Sequence, residues 1–433
     1  MRHPSLVVGL LLGLLTAPTS AAEQNPAGRW SGQWEREGSI LDVEVTFVRT
    51  ASGYEGSFSS AHLRVVGIPF QRVRYEEPKL SWDLVGDATT SVFDGVVQAD
   101  TIAGRFREGD AVGTFRLTRE PGEAAPVREE EIRFGDAQVT LRGTVVYPAG
   151  PGPFPGVVFL HGSGAEGRWA SRYLADAFAR RGIAALIYDK RGVGASTGDW
   201  RDAGFAELVK DAAAAVEALR SRPRIAPDRV GIHGHSQGAT IAPWVANENA
   251  SVAFVVASAA TGLSMAETET YSVGNAVGLR RMGEAERRLA QQYIHTLVAT
   301  AYGGAPRAEV EAAYQGVRDR PWAFAPPPAT DSYWSFSRRI AAYDPLEHWR
   351  RVSAPVLLVY GEADERVPPR PSAERIAQAY LASLGSRLEV LLFPGGDHTF
   401  RLPPSTPGRF EWPKTVPGYP DRVIDWIQRV SRP

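Results

Sequence analysis

The sequence predicts an α/β protein with a second, smaller all-β domain ahead of it, and three observations carry that prediction. Between residues 27 and 119, short runs alternate apolar and polar residues with a period of two, broken by Gly, Asp and Ser. From about residue 131 the texture changes to nearly all-apolar strands separated by amphipathic helices, the pattern of a mostly parallel sheet covered on both faces. That alternation pauses over residues 263–345, which read as a helical, aromatic insertion, a cap, and then resumes.

The chain begins with a basic pair, Arg2 and His3, ahead of an apolar run from Leu6 to Leu15 and the small residues Ser20 and Ala22. The run is too short to span a bilayer, so residues 1–22 are expected to be a cleavable signal peptide, with a mature protein that is exported, periplasmic or secreted. Residues 23–120 form the expected antiparallel β domain. Its runs are Leu41–Phe47, Leu63–Val66, Val92–Val97 and Thr114–Leu117, and the segments Trp30–Trp34 and Gly113–Leu117 are expected to pair as first and last strands of a small barrel or curled sheet. The Pro-, Gly- and Glu-rich stretch 121–130 is expected to be a linker.

The catalytic domain is expected over 131–433. A hairpin-like pair, Glu131–Phe134 and Val139–Tyr147, precedes strands at 156–160, 183–188, 230–232 and 252–257. Helices are expected at 169–181, 204–221 and directly after Ser236. After the insertion, strands at 356–360 and 388–393 alternate with helices at 371–384 and 419–430.

Composition excludes several functions. With 48 basic against 49 acidic residues, the 433-residue chain has no global field to attract nucleic acid or an anionic membrane. Only four of those 48 are lysine, and the arginines are scattered among acids rather than gathered in a phosphate-binding stripe. The absence of cysteine excludes thiolate metal sites, disulfides and a cysteine nucleophile. No segment after the leader has the apolar length of a membrane span.

The chemistry concentrates at Gly234-His235-Ser236-Gln237-Gly238, placed between an expected strand and an expected helix. A serine on a sharp strand-to-helix turn needs small neighbours, because side chains at 234 or 238 would collide with adjacent backbone. The turn also aims the helix N-terminus at a developing oxyanion. His233 and His235 flank the turn and are weighed as substrate contacts, a role favoured for neither.

On these residues the region 131–433 resembles the α/β-hydrolase superfamily, and most closely bacterial exported carboxylesterases with an extra N-terminal domain. The resemblance implies a catalytic triad in the chain order Ser, acid, His. Gly361-Glu362-Ala363-Asp364-Glu365-Arg366-Val367-Pro368 resembles the acid loop and implies Asp364, in preference to Glu362 or Glu365. Gly396-Asp397-His398-Thr399-Phe400 resembles the histidine loop and implies His398 as base, with Asp397 as a brace. His161-Gly162-Ser163-Gly164 resembles the oxyanion loop and implies backbone donors at Ser163 and Gln237, with Gly162 as the alternative on the first loop. Asp189-Lys190-Arg191-Gly192-Val193-Gly194-Ala195-Ser196 resembles a recurrent structural loop, and Asp189 precedes the nucleophile, in the wrong order for the acid. His161 is read as a brace, and Asp344 and His348 as residues fixing a turn and a helix end.

The implied activity is serine carboxylic-ester hydrolysis through an acyl-enzyme, on small to medium esters, with no metal or organic cofactor. A peptidase or amidase, an acyltransferase, and a non-catalytic ligand-binding relative stand as alternatives. The expected partner is a small-molecule ester, with no nucleic acid and no membrane span, and the oligomeric state is open. The cap aromatics Trp322, Phe324, Tyr333, Trp334, Phe336 and Tyr343 are weighed as cap core or as a substrate pocket, with the core favoured.

Overall fold

The computed structural model describes residues 25–86, 89–122, 127–382 and 387–432, so the expected leader lies outside the described residues. The chain forms two compact units, one ending at Pro121 and the other beginning at Gly122, with the segments Glu37–Val43 and Phe58–Ile68 belonging to the latter.

The N-terminal part is a meander of nine strands: β1 (Gly28–Arg36), β2 (Ser39–Thr50), β3 (Gly53–Ser60), β4 (Val65–Pro69), β5 (Gln71–Glu76), β6 (Lys79–Val85), β7 (Thr90–Gln98), β8 (Thr101–Glu108) and β9 (Ala111–Arg119). Their order is β4-β3-β2-β1-β9-β8-β7-β6-β5. The two edge strands are joined by one residue, Phe70, so the sheet must curl round on itself. The expected pairing of first and last strands is present, with Gly32 opposite Leu117 and Trp34 opposite Phe115. Strand β2 shows how alternation builds the core: Leu41, Val43, Val45 and Phe47 are buried, while Asp42 and Glu44 between them face out. The expected run Leu63–Val66 begins instead in a turn, and β4 starts at Val65.

Aromatic rings fill this core. Phe93 lies 4.8 Å from Trp34, 5.0 Å from Trp82, 5.0 Å from Phe106 and 5.7 Å from Phe115, centroid to centroid. Such pairs add about 0.5–1.5 kcal/mol each beyond the burial of their area.

The second part holds an eight-stranded sheet made of β10 (Arg128–Gly135), β11 (Thr140–Tyr147), β12 (Phe154–Leu160), β13 (Ala184–Tyr188), β14 (Ile225–His235), β15 (Val255–Ser258), β16 (Val356–Gly361) and β17 (Leu388–Phe393). The order is β10-β11-β13-β12-β14-β15-β16-β17. The pairs from β13 through β17 are parallel, and the β10–β11 hairpin adds antiparallel through β11 to β13. Strand β10 starts at Arg128, inside the stretch expected as linker. Its acidic run survives as an edge strand because arginines meet each carboxylate: Arg172 on Glu129, Arg222 on Glu130 and Arg168 on Glu131.

Helices α1 (Arg172–Arg180), α2 (Phe205–Arg220), α3 (Gln237–Glu248), α9 (Pro369–Leu381) and α10 (Asp421–Val430) pack on the sheet, while α4 (Met265–Ala276), α5 (Glu284–Gly303), α6 (Arg307–Val317), α7 (Ser332–Ile340) and α8 (Pro345–Trp349) form the insertion between β15 and β16. Two apolar layers result, one on each face of the sheet. The first includes Leu186, Val216, Ile232 and Leu358, and the second Phe178, Ile187, Val359 and Ile427. Among the described residues, no helix is long and apolar enough to cross a membrane.

Phe93→Ala empties the centre of the aromatic cluster and should lower stability by about 3–5 kcal/mol. Urea unfolding of the purified chain measures this, and a loss below about 1 kcal/mol would show that the ring carries little of the packing.

Candidate active site

Strand register brings the site together. Strand β12 is paired with both β13 and β14, a reversal of strand order that opens a crevice at the carboxyl ends of the strands. Leu160 lies opposite Gly234, so the loop after β12 and the turn after β14 emerge side by side. Gly361 at the end of β16 lies opposite Phe393 at the end of β17, which brings the loops bearing Asp364 and His398 together.

Ser236 sits between β14 and α3 with φ 53° and ψ −113°, a left-handed backbone that L-residues avoid. A Cβ at Gly234 would lie 2.4 Å from the Gly238 carbonyl carbon, and one at Gly238 would lie 2.5 Å from the Leu160 oxygen. The flanking glycines are therefore required by close approach, as expected. The Ser236 amide donates to Ser258 O at 2.9 Å, and the Thr240 amide donates to Ser236 O at 2.9 Å, which fixes the turn from both sides.

The structure brings Ser236, His398 and Asp364 into one hydrogen-bonded line. Ser236 Oγ lies 3.0 Å from His398 Nε2, and His398 Nδ1 lies 2.9 and 3.0 Å from the two Asp364 oxygens. Asp364 and His398 are buried. The amides of Arg366 and Val367 donate to Asp364 Oδ1 at 2.8 and 2.9 Å, so the carboxylate is aimed before it meets the ring. With Nδ1–H donating to the carboxylate, Nε2 is left to accept the serine proton.

The competing residues have other partners. Glu362 pairs with Arg370, and Glu365 accepts the His398 amide at 3.3 Å. Asp397 Oδ1 accepts from the amides of Thr399 and Arg401, bracing its own loop. Asp189 is held by Arg168 and by the Ala195 amide; burial pushes its carboxyl up, and those hydrogen bonds outweigh it, leaving the group below its usual range. Asp344 caps α8 through the Leu346 amide, and the His348 ring stacks on Trp244 at 4.7 Å.

Both histidines beside the turn act as braces. His233 Nε2 meets Ser258 Oγ at 2.9 Å, and His235 Nε2 donates to the His398 carbonyl at 3.0 Å. Burial lowers both, to about 3 for His233 and about 4 for His235, so each ring is neutral at ordinary pH. His161 Nε2 donates to Tyr188 O at 2.5 Å, and burial lowers that ring to about 4.

On the loop after β12, the Gly162 amide donates to Glu166 Oε2 at 2.7 Å. That occupies the Gly162 amide, the alternative donor weighed on this loop. Sequence reasoning missed this role for Glu166. It also missed Tyr271 of α4, whose hydroxyl donates to the Asp364 carbonyl at 2.8 Å, and Asn275, which donates to Glu365 O at 2.9 Å. Those contacts join residues about 90 positions apart, which no local motif reveals.

The weighed cap aromatics are packing residues. Trp334 is buried in a cluster with Tyr293, Leu297, Ala301, Val310 and Val317, and Trp322, Phe324 and Tyr333 pack against it. Phe336 and Tyr343 pack on the main core, and the Tyr343 hydroxyl donates to Thr240 O at 2.7 Å.

Residues 153–402, more than half of the chain, match the hydrolase family described as serine aminopeptidase, S33. The chain belongs to this family. It is similar to the esterase EstD of Thermotoga maritima, 25% identical over 339 residues that cover 75% of this chain and 74% of the relative. A polyketide transferase of Stachybotrys chlorohalonatus is 31% identical over 137 residues, covering 31% of this chain and 46% of its own. Among solved structures, an esterase of Pyrococcus furiosus aligns with a TM-score of 0.44 and 17% identity, covering 72% of this chain and 94% of that one. The protein is thus an α/β hydrolase with a separate N-terminal all-β domain, as the motifs implied.

Gly361 tests the joining of the acid and histidine loops. A Cβ there would lie 2.3 Å from the carbonyl oxygens of Gly396 and Asp397, both backbone atoms of the histidine loop. Gly361→Ala should therefore displace His398 and lower hydrolytic turnover about 100-fold, the scale of a 1 Å misplacement. Steady-state kinetics on the folded variant check this, and unaltered turnover would show that the loops have room to part.

Proposed function

We propose that the protein is an exported serine carboxylic-ester hydrolase that works on small to medium esters through an acyl-enzyme. The observation that carries this reading is the line from Ser236 Oγ through His398 to Asp364. His398 Nε2 takes the Ser236 proton as Oγ attacks the ester carbonyl, and Asp364 holds the ring in the tautomer that can accept it. The Ser163 and Gln237 amides receive the oxyanion, helped by the N-terminus of α3. The tetrahedral adduct collapses, His398 gives its proton to the leaving alcohol, and the ring then activates water to release the acid.

The likeness to the Thermotoga maritima esterase supports an ester as substrate. Export is proposed from the basic, apolar and small-residue order of the first 22 residues. Amide hydrolysis is the second reading, favoured by the aminopeptidase description of the matching family.

Replacing Ser236 with Ala should reduce kcat on short p-nitrophenyl esters by roughly a million-fold, the scale reported for loss of a triad nucleophile. Retained activity would remove the serine mechanism. A matched ester and anilide decide between the two substrate classes: faster ester turnover is expected, and faster anilide turnover would favour the peptidase reading.

A further inference from the structure

Lys190 lies in the loop after β13 and is 3% exposed. Its ammonium forms no ion pair among the described residues, although carboxylates stand on the neighbouring elements. Asp189 is taken by Arg168 at 3.0 Å and Asp211 by Arg191 at 2.7 Å, while Glu166 is turned to the Gly162 amide. His161 and Tyr188 also border it, the first held neutral by burial and by the Lys190 charge itself, the second pushed up by burial. Trp200 contributes a distant ring face, 6.0 Å away.

What the ammonium touches explains its position. Its three hydrogens go to Gly162 O at 2.6 Å, Gly164 O at 2.9 Å and Gln237 Oε1 at 2.9 Å. Gly162 and Gly164 flank Ser163, and Gln237 follows the nucleophile. One side chain thus grips both sides of the peptide segment that carries one proposed oxyanion donor and the residue that carries the other. An ammonium has three donors and no acceptor, which matches three oxygens with none left over. Burying an unpaired charge is costly, so a role for packing alone would be served better by a neutral side chain.

We propose that Lys190 is a positioning residue that sets the amides of Ser163 and Gln237 in register as the two halves of the oxyanion hole. This rests on the serine-hydrolase reading of the site. The ammonium form is required, because a neutral amine has two hydrogens and a lone pair and must leave one of the three oxygens without a donor.

Burial lowers Lys190 from its ordinary value of 10.5 to about 8, with Glu166 opposing the shift. The two consequences have opposite signs. Between about pH 8 and 10.5 the folded chain has released a proton that the unfolded chain still holds, so this group adds stability as pH rises. Activity falls over the same window, because the released proton is one of the three that fix the loop. A purely structural lysine would not give that opposition.

The test uses the full chain and a short p-nitrophenyl ester, with kcat and KM measured from neutral to alkaline pH and thermal melting alongside. Lys190→Met should lower kcat about 10–100-fold with KM changed less than about threefold, and should lack the alkaline limb near the Lys190 titration. Should that variant fail to fold, Lys190→Arg decides, since a guanidinium stays charged and the limb should vanish from its profile. A wild-type kcat in Lys190→Met, or an unchanged alkaline limb in Lys190→Arg, overturns the proposal. Ser236→Ala separates the two levels. If it is inactive while Lys190→Met is fully active, only the role of Lys190 falls; if it is active, the serine reading falls first.

Discussion

The backbone of Ser236, held at φ 53° and ψ −113°, is the constraint around which the catalytic domain is organised. A left-handed serine costs about 1–3 kcal/mol and persists only where its surroundings over-determine it. Here they do so through elements distant in sequence. Strand β14 lies between β12 and β15 in the parallel sheet, Ser258 receives the Ser236 amide, and the first turn of α3 closes over the Ser236 carbonyl. The two glycines that permit the turn also allow α3 to sit against the loop after β12. The strain that exposes the hydroxyl and the closeness that places the oxyanion loop beside it are therefore one packing event.

The polar groups around the turn divide by charge. Burial keeps His161, His233 and His235 neutral, and each spends a ring nitrogen on a carbonyl or hydroxyl oxygen. Asp364 is buried, but it accepts two backbone amides as well as the His398 ring, so its oxygens are satisfied from three sides. Of the four histidines described near the nucleophile, His398 alone combines a carboxylate on one nitrogen with a hydroxyl on the other. Chain order matters less here than the partner each ring already has.

Much of this was legible in the residues because its causes are local. The glycines around Ser236 announce a close approach, and all-apolar runs such as Val356–Tyr360 announce strands buried on both faces. Strand β3 was not legible: Gly-Tyr-Glu-Gly-Ser-Phe-Ser-Ser lacks apolar alternation, and its anchors are a buried Phe58 and a Ser60 hydroxyl that donates to Asp42 O on β2. The partner of the Gly162 amide was not legible either, because it is a carboxylate four residues on that turns back to the loop. Lys190 was hidden for the opposite reason. Its loop reads as a structural bend, and its partners lie 26 to 47 residues away.

The insertion between β15 and β16 is anchored in different ways along its length. Helices α5, α6 and α7 share a core of their own, built on Tyr293, Leu297, Val310 and Trp334, which gives that part the means to hold its shape as a body. Helix α4 is tied instead to the acid loop, through Tyr271 on the Asp364 carbonyl and Asn275 on the Glu365 carbonyl. A displacement of α4 would break the hydrogen bond that holds the backbone of the proposed acid, whereas α5–α7 make no such bond to that loop among the described residues. The two parts are also joined to each other, since the Tyr333 hydroxyl of α7 donates to Glu269 of α4 at 3.1 Å. The first helix of the insertion is thus tied to the acid loop, while α7 and α8 are anchored differently, through Phe336, Ile340 and Trp349 on the main core.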